Sequence, residues 1–228
     1  TADSGEIFVN GKLQHITDSR HALALGIGMV HQHFMLVDNF SILENVVLGA
    51  EDSELLGPTL ARARAELKRL ADEYNLDVDP DAIVGELPVG LQQRVEILKA
   101  LFKGAETLIL DEPTGVLTPD EADHLFRILR TLRDQGKTII LITHKLREIM
   151  AITDHVSVMR RGEMVATRET KKTSVEELAE LMVGRHVLLR VEKGKASPGE
   201  VVLEVKSLSW KDRKGVSRVD NVSFTVCK

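Results

Sequence analysis

Two hydrophobic rhythms alternate along the chain. Residues 60–75 place Leu60, Ala63, Leu67, Leu70 and Tyr74 at steps of three and four, which predicts a helix with one buried face. A second helical pattern runs from about Leu91 to Phe102, with Val95, Leu98 and Leu101 on one side. Between such stretches lie apolar runs of strand length. Thr107-Leu-Ile-Leu110 ends at Asp111-Glu112, and Lys137 to Thr143 forms another. Local punctuation predicts further helices. Asp18 caps a short one ending before Gly26, and Thr118, Pro119 and Glu121 open one over 119–135 that Gly136 stops. A helix follows from about Lys145, and Ser174 with Glu177 forms a capping box for one that Gly184 ends. Residues 5–11 predict a strand closed by Asn10-Gly11, and Gly28 to Gln32 a strand leading into a loop. His155–Arg160 and Gly162–Thr167 predict a hairpin. Apolar strands alternating with amphipathic helices imply an α/β domain with a largely parallel sheet.

Residues 192–200 are polar, carry Gly and Pro, and have no periodicity, so they read as a linker. Val201 to Leu208 and Val222 to Val226 then read as two strands.

Composition narrows the classes. Of 228 residues, 43% are hydrophobic and 29% charged, enough apolar side chain for a core. With 30 Lys and Arg against 35 Asp and Glu, the net charge is −5, and only 4% of residues are aromatic. Neither a basic footprint nor base-stacking platforms are evident, which argues against a general nucleic-acid binder. One cysteine, Cys227, excludes an internal disulfide and a Cys-rich zinc site. No apolar run reaches the length of a membrane span. The first residue is Thr1, so processing or a longer parent chain is expected.

The chemistry concentrates at Thr107 to Thr114. An apolar strand delivers two carboxylates to its carboxyl end, where open α/β sheets place ligands. Asp111 there suits Mg²⁺ held through water, and Glu112 suits orienting or deprotonating an attacking water. An isolated Asp-Glu pair reads more simply as a solvated turn, but the apolar run before it and Pro113-Thr114 after it favour the catalytic reading. His31 and His33 flank Gln32 on one side of an ending strand, yet no third metal ligand accompanies them.

Four more segments stand in a telling order around this one: His31-Gln32-His33-Phe34, Leu87-Pro-Val-Gly-Leu-Gln-Gln-Arg94, Gly115-Val-Leu-Thr118 and Leu141-Ile-Thr-His144. Together they resemble the ATP-binding domain of ABC transporters, over nearly the whole chain. The resemblance implies an α/β fold of the P-loop NTPase type, an ABC ATPase core with a mostly parallel sheet and an inserted α-helical subdomain at about 41–103. It implies ATP and Mg²⁺ as cofactors. Gln32 matches the Q-loop, reaching the metal and attacking water. Residues 87–94 match the signature motif, in which Pro88, Val89, Gly90, Leu91 and Gln92 would meet the nucleotide. Thr107 to Glu112 match the Walker B strand, with Asp111 for the metal and Glu112 for catalysis. Thr118 ends the D-loop, and His144 is the switch histidine that holds the γ-phosphate and Glu112 in register.

Departures accompany the matches. Pro88 replaces the signature serine, Val89 the first glycine and Leu91 the glutamine, while Thr118 stands where Asp is usual. Proline offers no hydroxyl and no N–H, although the helix start behind it still favours phosphate. A weakened signature is expected, and restoring serine at Pro88 in the complete protein should raise hydrolysis. His31-Gln-His-Phe-Met-Leu-Val37 and Glu44-Asn-Val-Val-Leu-Gly49 look like importer ATPases of the simple-sugar and nucleoside branch. Those carry two ATP-binding domains in one chain and serve transmembrane permease subunits, with a solute-binding protein outside the membrane.

The implied organisation is a first ABC domain over 1–190, truncated at its N-terminus, a linker at 191–200, and the opening strands of a second domain at 201–228. No Gly-x-x-x-x-Gly-Lys-Ser/Thr occurs among the 228 residues, so these residues alone are expected to be inactive toward ATP. In the family the strand leading into that loop is central to the sheet, so its neighbours are expected to show unpaired edges. The C-terminal strands are expected to compensate in part. Competing readings are a soluble ABC ATPase of DNA repair or translation and a non-enzymatic docking fragment. The leading reading places the protein at the cytoplasmic face of the cell membrane.

Overall fold

The structure, a computed structural model, describes residues 3–48, 60–186, 198–213 and 215–228. Residues 191–197 of the expected linker and Gly49 lie outside them. The chain divides into two compact units, Thr1–His186 and Val187–Lys228.

In the first unit, β1 (Ile7–Val9) and β2 (Lys12–Gln14) pair antiparallel across Asn10-Gly11. Both turn residues have positive φ, 51° and 73°, the backbone that a two-residue hairpin needs. Helix α1 (Ser19–Ala24) starts where Asp18 accepts from the His21 N–H, and Gly26 at φ 77° turns the chain out of it. β3 (Ile27–Val30), β4 (Thr107–Asp111) and β5 (Thr138–Ile142) then form a three-stranded parallel sheet in the order β3-β4-β5. Val30 aligns with Leu110, and Asp111 with Ile142. The loops that begin at residues 31, 112 and 143 therefore leave from one edge of the sheet.

Between β3 and β4 come α2 (Ile42–Val47), α3 (Leu60–Glu73) and α4 (Val89–Phe102). A complete capping box between Ser41 and Glu44 starts α2. Helix α3 buries Ala63, Leu67, Leu70 and Ala71, and Tyr74 just beyond its end. Leu60, expected on that face, is 62% exposed, because it sits in the first turn, ahead of the buried residues. Helix α4 begins two residues earlier than the periodicity suggests and is buried nearly all round. Gln93 and Glu96 go inside with Val95, Ile97, Leu98 and Leu101. It packs against α2 and α3 as well as β3, so little of it beyond its first turns is left for water.

Helix α5 (Pro119–Asp134) carries the expected Thr118 cap, capping box and N1 proline, and buries Leu125, Ile128, Leu129 and Leu132. With Leu108 and Leu110 of β4 these belong to the main core. Helix α6 (Leu146–Ile152), the hairpin β6 (His155–Arg160) and β7 (Glu163–Glu169), and α7 (Val175–Val183) enclose a second, smaller cluster of Ile149, Val156, Val158 and Leu178. The capping box expected at α7 is only half formed. Ser174 accepts from the Glu177 N–H, but the Glu177 carboxylate turns to Thr173 Oγ1 and Arg168, where a guanidinium is the stronger partner.

Among the described residues β5 ends the sheet, and Ile140 and Ile142 are each 47% exposed. β-branched apolar residues in a parallel sheet are ordinarily covered on both faces. Here β5 and β6 instead line a mostly apolar groove of about 860 Å³, with Ile139, Ile149, Val156 and Met182 among its walls.

In the second unit, β8 (Val201–Lys211) and β9 (Ser217–Cys227) form an antiparallel pair longer than the sequence suggests. Ser207 and Asn221, both at φ 50°, accompany shifts in its register. Among the described residues, no helix is long and apolar enough to cross a membrane.

Candidate active site

The carboxyl edge of the sheet brings two of the expected residues into contact. Glu112 is the first residue beyond β4, and its N–H donates to the Ile142 carbonyl at 2.8 Å. Its φ is 46°, a left-handed backbone that is costly for glutamate and recurs at functional sites. That turn aims the side chain across to the end of β5. Glu112 Oε1 accepts from the His144 N–H at 3.2 Å and pairs with His144 Nδ1 at 2.7 Å. The carboxylate is 19% exposed and the imidazole 72%. Glu112 Oε2 is buried without a hydrogen-bond partner. A buried carboxylate oxygen left this way is open to a water or hydroxyl donor. Asp111 stands half-buried at the last position of β4.

Gln32 is exposed in the loop after β3, with His31 and His33 beside it. Among the described residues, no three His, Cys, Asp or Glu side chains gather as a metal cluster. The half-buried Asp111 carboxylate and the exposed Gln32 amide are hard oxygen donors of the kind that suits a cation keeping most of its ligands from water and phosphate, as Mg²⁺ does. The loop after β3 is held from both sides. Asn45 of α2, 1% exposed, accepts from the Val37 N–H at 2.7 Å and donates to the Val37 and Ser41 carbonyls at 3.0 and 3.1 Å. From α4, Glu96 accepts from the Met35 N–H and Lys99 donates to the Met35 carbonyl, both at 2.6 Å.

The segment expected to be the signature motif lies at the start of α4. Pro88 is the N-cap and gives no side-chain cap; Pro88 and Val89 are exposed, and Leu91 is half-buried. Gln92 donates from Nε2 to the Leu87 carbonyl at 3.1 Å, so its amide braces the turn before the helix. Gly90 meets the beginning of α5. A Cβ on it would lie 2.7 Å from Glu121 Oε1, so a larger residue there would push the Glu121 carboxylate aside. Glu121 accepts from the Thr118 N–H and the Thr118 hydroxyl, both at 2.9 Å. The Thr118 N–H above all, then its hydroxyl and the Gly90 N–H, hold this carboxyl below the usual range. Thr118 and Gly90 thus share one carboxylate. The structure brings Glu112 to His144, and Gly90 to Glu121 beside Thr118, whereas Gln32 stands in its own loop.

Several supporting residues escape a reading by pattern. Asn45 and Glu96 occupy buried helix positions where hydrophobic periodicity registers only a gap. Glu121 is legible as half of a capping box but not as the neighbour of Gly90, which is 31 positions away.

The parallel strands, with the carboxylate–histidine pair at their carboxyl ends, form an α/β domain of the P-loop NTPase-like type. The ABC transporter family model matches residues 1–115, and the chain belongs to that family. It is 49% identical over 222 residues to the nucleoside import ATP-binding protein NupA of Lactococcus lactis subsp. cremoris, covering 97% of this chain and 44% of that one. The guanosine import ATP-binding protein NupO of Bacillus subtilis is 47% identical, with 98% and 44% covered. The glucose import ATP-binding protein TsgD13 of Haloferax volcanii is 44% identical, with 98% and 46% covered. The chain spans about half the length of the curated relatives it matches. Among solved structures, cbiO1 of Clostridium perfringens, part of the ABC transporter complex cbiONQ, is similar at a TM-score of 0.64 and 26% identity. That match covers 79% of this chain and 70% of the other. The ADP conformation of MJ1267, an ATP-binding cassette of an ABC transporter, shares the fold at a TM-score of 0.67 and 23% identity, with 80% and 78% covered.

Proposed function

We propose that these residues are the larger part of the first ATP-binding domain of a tandem ATPase that powers import of nucleosides or simple sugars. The observation that carries the reading is the Glu112–His144 pair at 2.7 Å across neighbouring strand ends. Glu112 is the general base that orients the attacking water, and His144 keeps its carboxylate aimed. Asp111 and Gln32 are the residues that would hold Mg²⁺, which when bound neutralises charge on the phosphates. Gly90 and the start of α4, with Thr118 nearby, would face nucleotide held by a second ABC domain in the same chain. The nucleoside branch is favoured by the names of NupA and NupO. Partners are transmembrane permease subunits at the cytoplasmic face of the membrane and, through them, a solute-binding protein.

Without a Gly-x-x-x-x-Gly-Lys-Ser/Thr cradle the 228 residues alone should not bind ATP at micromolar affinity. Binding of radiolabelled nucleotide to the purified chain checks this, and micromolar affinity would contradict it. In the complete protein, Glu112→Gln should reduce ATP turnover by about 10²-fold or more, the scale of a lost general base, with nucleotide binding retained. Turnover within about threefold of the unsubstituted protein would remove Glu112 from catalysis. Copurification with ribosomes or DNA instead of permeases would favour a soluble ABC ATPase.

A further inference from the structure

Behind the Glu112–His144 pair lies a second polar cluster. Glu148, the third residue of α6, is 5% exposed, and Thr114, two residues after Glu112, is 1% exposed. The Thr114 hydroxyl donates to Glu148 Oε1, and the Thr143 hydroxyl donates to Oε2 at 2.9 Å. Lys145 Nζ donates to the Thr114 carbonyl and hydroxyl oxygen, each at 2.9 Å, and lies 3.4 Å from Glu148 Oε1. The Lys145 N–H returns to Thr143 Oγ1 at 3.1 Å.

The connectivity is specific. Thr114 belongs to the loop that carries Glu112, and Thr143 immediately precedes His144. Glu148 holds one hydroxyl from each loop, one on each carboxylate oxygen. Both oxygens of a nearly inaccessible carboxylate are thus used to fasten two strand-end loops together. A buried carboxylate is kept at this cost only where it is compensated, and here two hydroxyls supply the hydrogen bonds and the Lys145 ammonium the opposite charge. A purely structural brace could join the loops anywhere. This one joins them one and two residues from the pair.

We propose that Glu148, together with Lys145, is a positioning residue: its clamp on Thr114 and Thr143 sets the separation and orientation of Glu112 and His144. The proposal rests on the hydrolytic reading of that pair. Loosening the clamp lets the loop ends drift, and displacements near 1 Å at a reacting centre cost rate by as much as about 10²-fold.

Two readouts separate the proposal from the reading beneath it. The first uses no nucleotide. In the 228-residue chain labelled with ¹⁵N-histidine, the His144 nitrogen pattern, identified by its loss in His144→Gln, should report the bond to Glu112 and change in Glu112→Ala. Glu148→Gln should reproduce that change with the circular dichroism of the parent, and Thr143→Val should do the same, whereas Thr143→Ser should retain the parent pattern. If Glu148→Gln does not fold, Thr143→Val decides. A folded variant lacking the clamp whose His144 pattern equals the parent's overturns the proposal. The second readout is turnover in the complete protein: Glu148→Gln should lower kcat by about tenfold or more with KM for ATP within about twofold. A fall expressed wholly in KM also overturns it. If the unsubstituted complete protein hydrolyses no ATP, the hydrolytic reading fails, and the nitrogen pattern still decides whether the clamp sets the pair.

Discussion

At the scale of single residues, the departures from the family pattern acquire physical meaning. Thr118 stands where aspartate is usual. Either residue can accept the Glu121 N–H as an N-cap. Only threonine can also donate, and its hydroxyl does so to Glu121 Oε2 at 2.9 Å. Aspartate would set a second carboxylate against Glu121 at the same spot. Thr118→Ala should therefore cost about 1 kcal/mol through the lost cap, and Thr118→Asp should not restore stability fully despite being a good cap in general. Thermal or urea unfolding of the two variants checks the order, and full recovery with aspartate would dismiss the role given to the hydroxyl. The same scale contains what no one-dimensional pattern exposes. Asp111-Glu112 is conspicuous as a pair of acids ending an apolar run, yet nothing in the sequence announces the φ of 46° that turns Glu112 toward His144.

Elements were legible wherever one physical signal acted locally. Helix α5 carries its start, its stop and its buried face in its own residues, and structure and pattern agree there to within a residue. β4 is likewise marked by an uninterrupted apolar run, with Leu108 and Leu110 buried on one face and Ile109 half-buried on the other. Legibility fails where tertiary contacts supply the reason. Helix α4 looks amphipathic because Gln93 and Glu96 interrupt its apolar positions, but Glu96 is buried as the partner of the Met35 N–H. The second strand of the N-terminal hairpin and the full length of β8 and β9 escape for a related reason, since they are polar-rich and defined by pairing. Asn45 gives the sharpest test at this scale. Removing its amide strands the Val37 N–H and C=O, so Asn45→Ala should destabilise by about 2 kcal/mol or more. Asn45→Asp keeps the acceptor for the Val37 N–H but loses the donor for its carbonyl, and should fall between. Equal stability of Asn45→Ala and the parent would show that the loop after β3 does not depend on this latch.

On the scale of the whole molecule, the first unit holds two hydrophobic clusters of unequal size. The larger lies around β4, α4 and α5, and the smaller around Ile149, Val156, Val158 and Leu178. Few buried apolar side chains secure the smaller one, which places it at the low end of local stability. Amide hydrogen exchange in β6, β7 and α7 should be faster than in β4 and α5, and equal protection in both groups would refute this. The polar clamp at Glu148 lies on the seam, since its helix also gives Ile149 to the smaller cluster. The groove of about 860 Å³ between β5 and β6 opens along the same seam, and this has a thermodynamic consequence. A groove between two cores weakens their coupling, so the first unit should melt in two steps. A strand seated there would offer its backbone to the free edge of β5 and its side chains to the groove walls, and fuse the steps into one. The number of calorimetric transitions then counts whether the sheet is continuous.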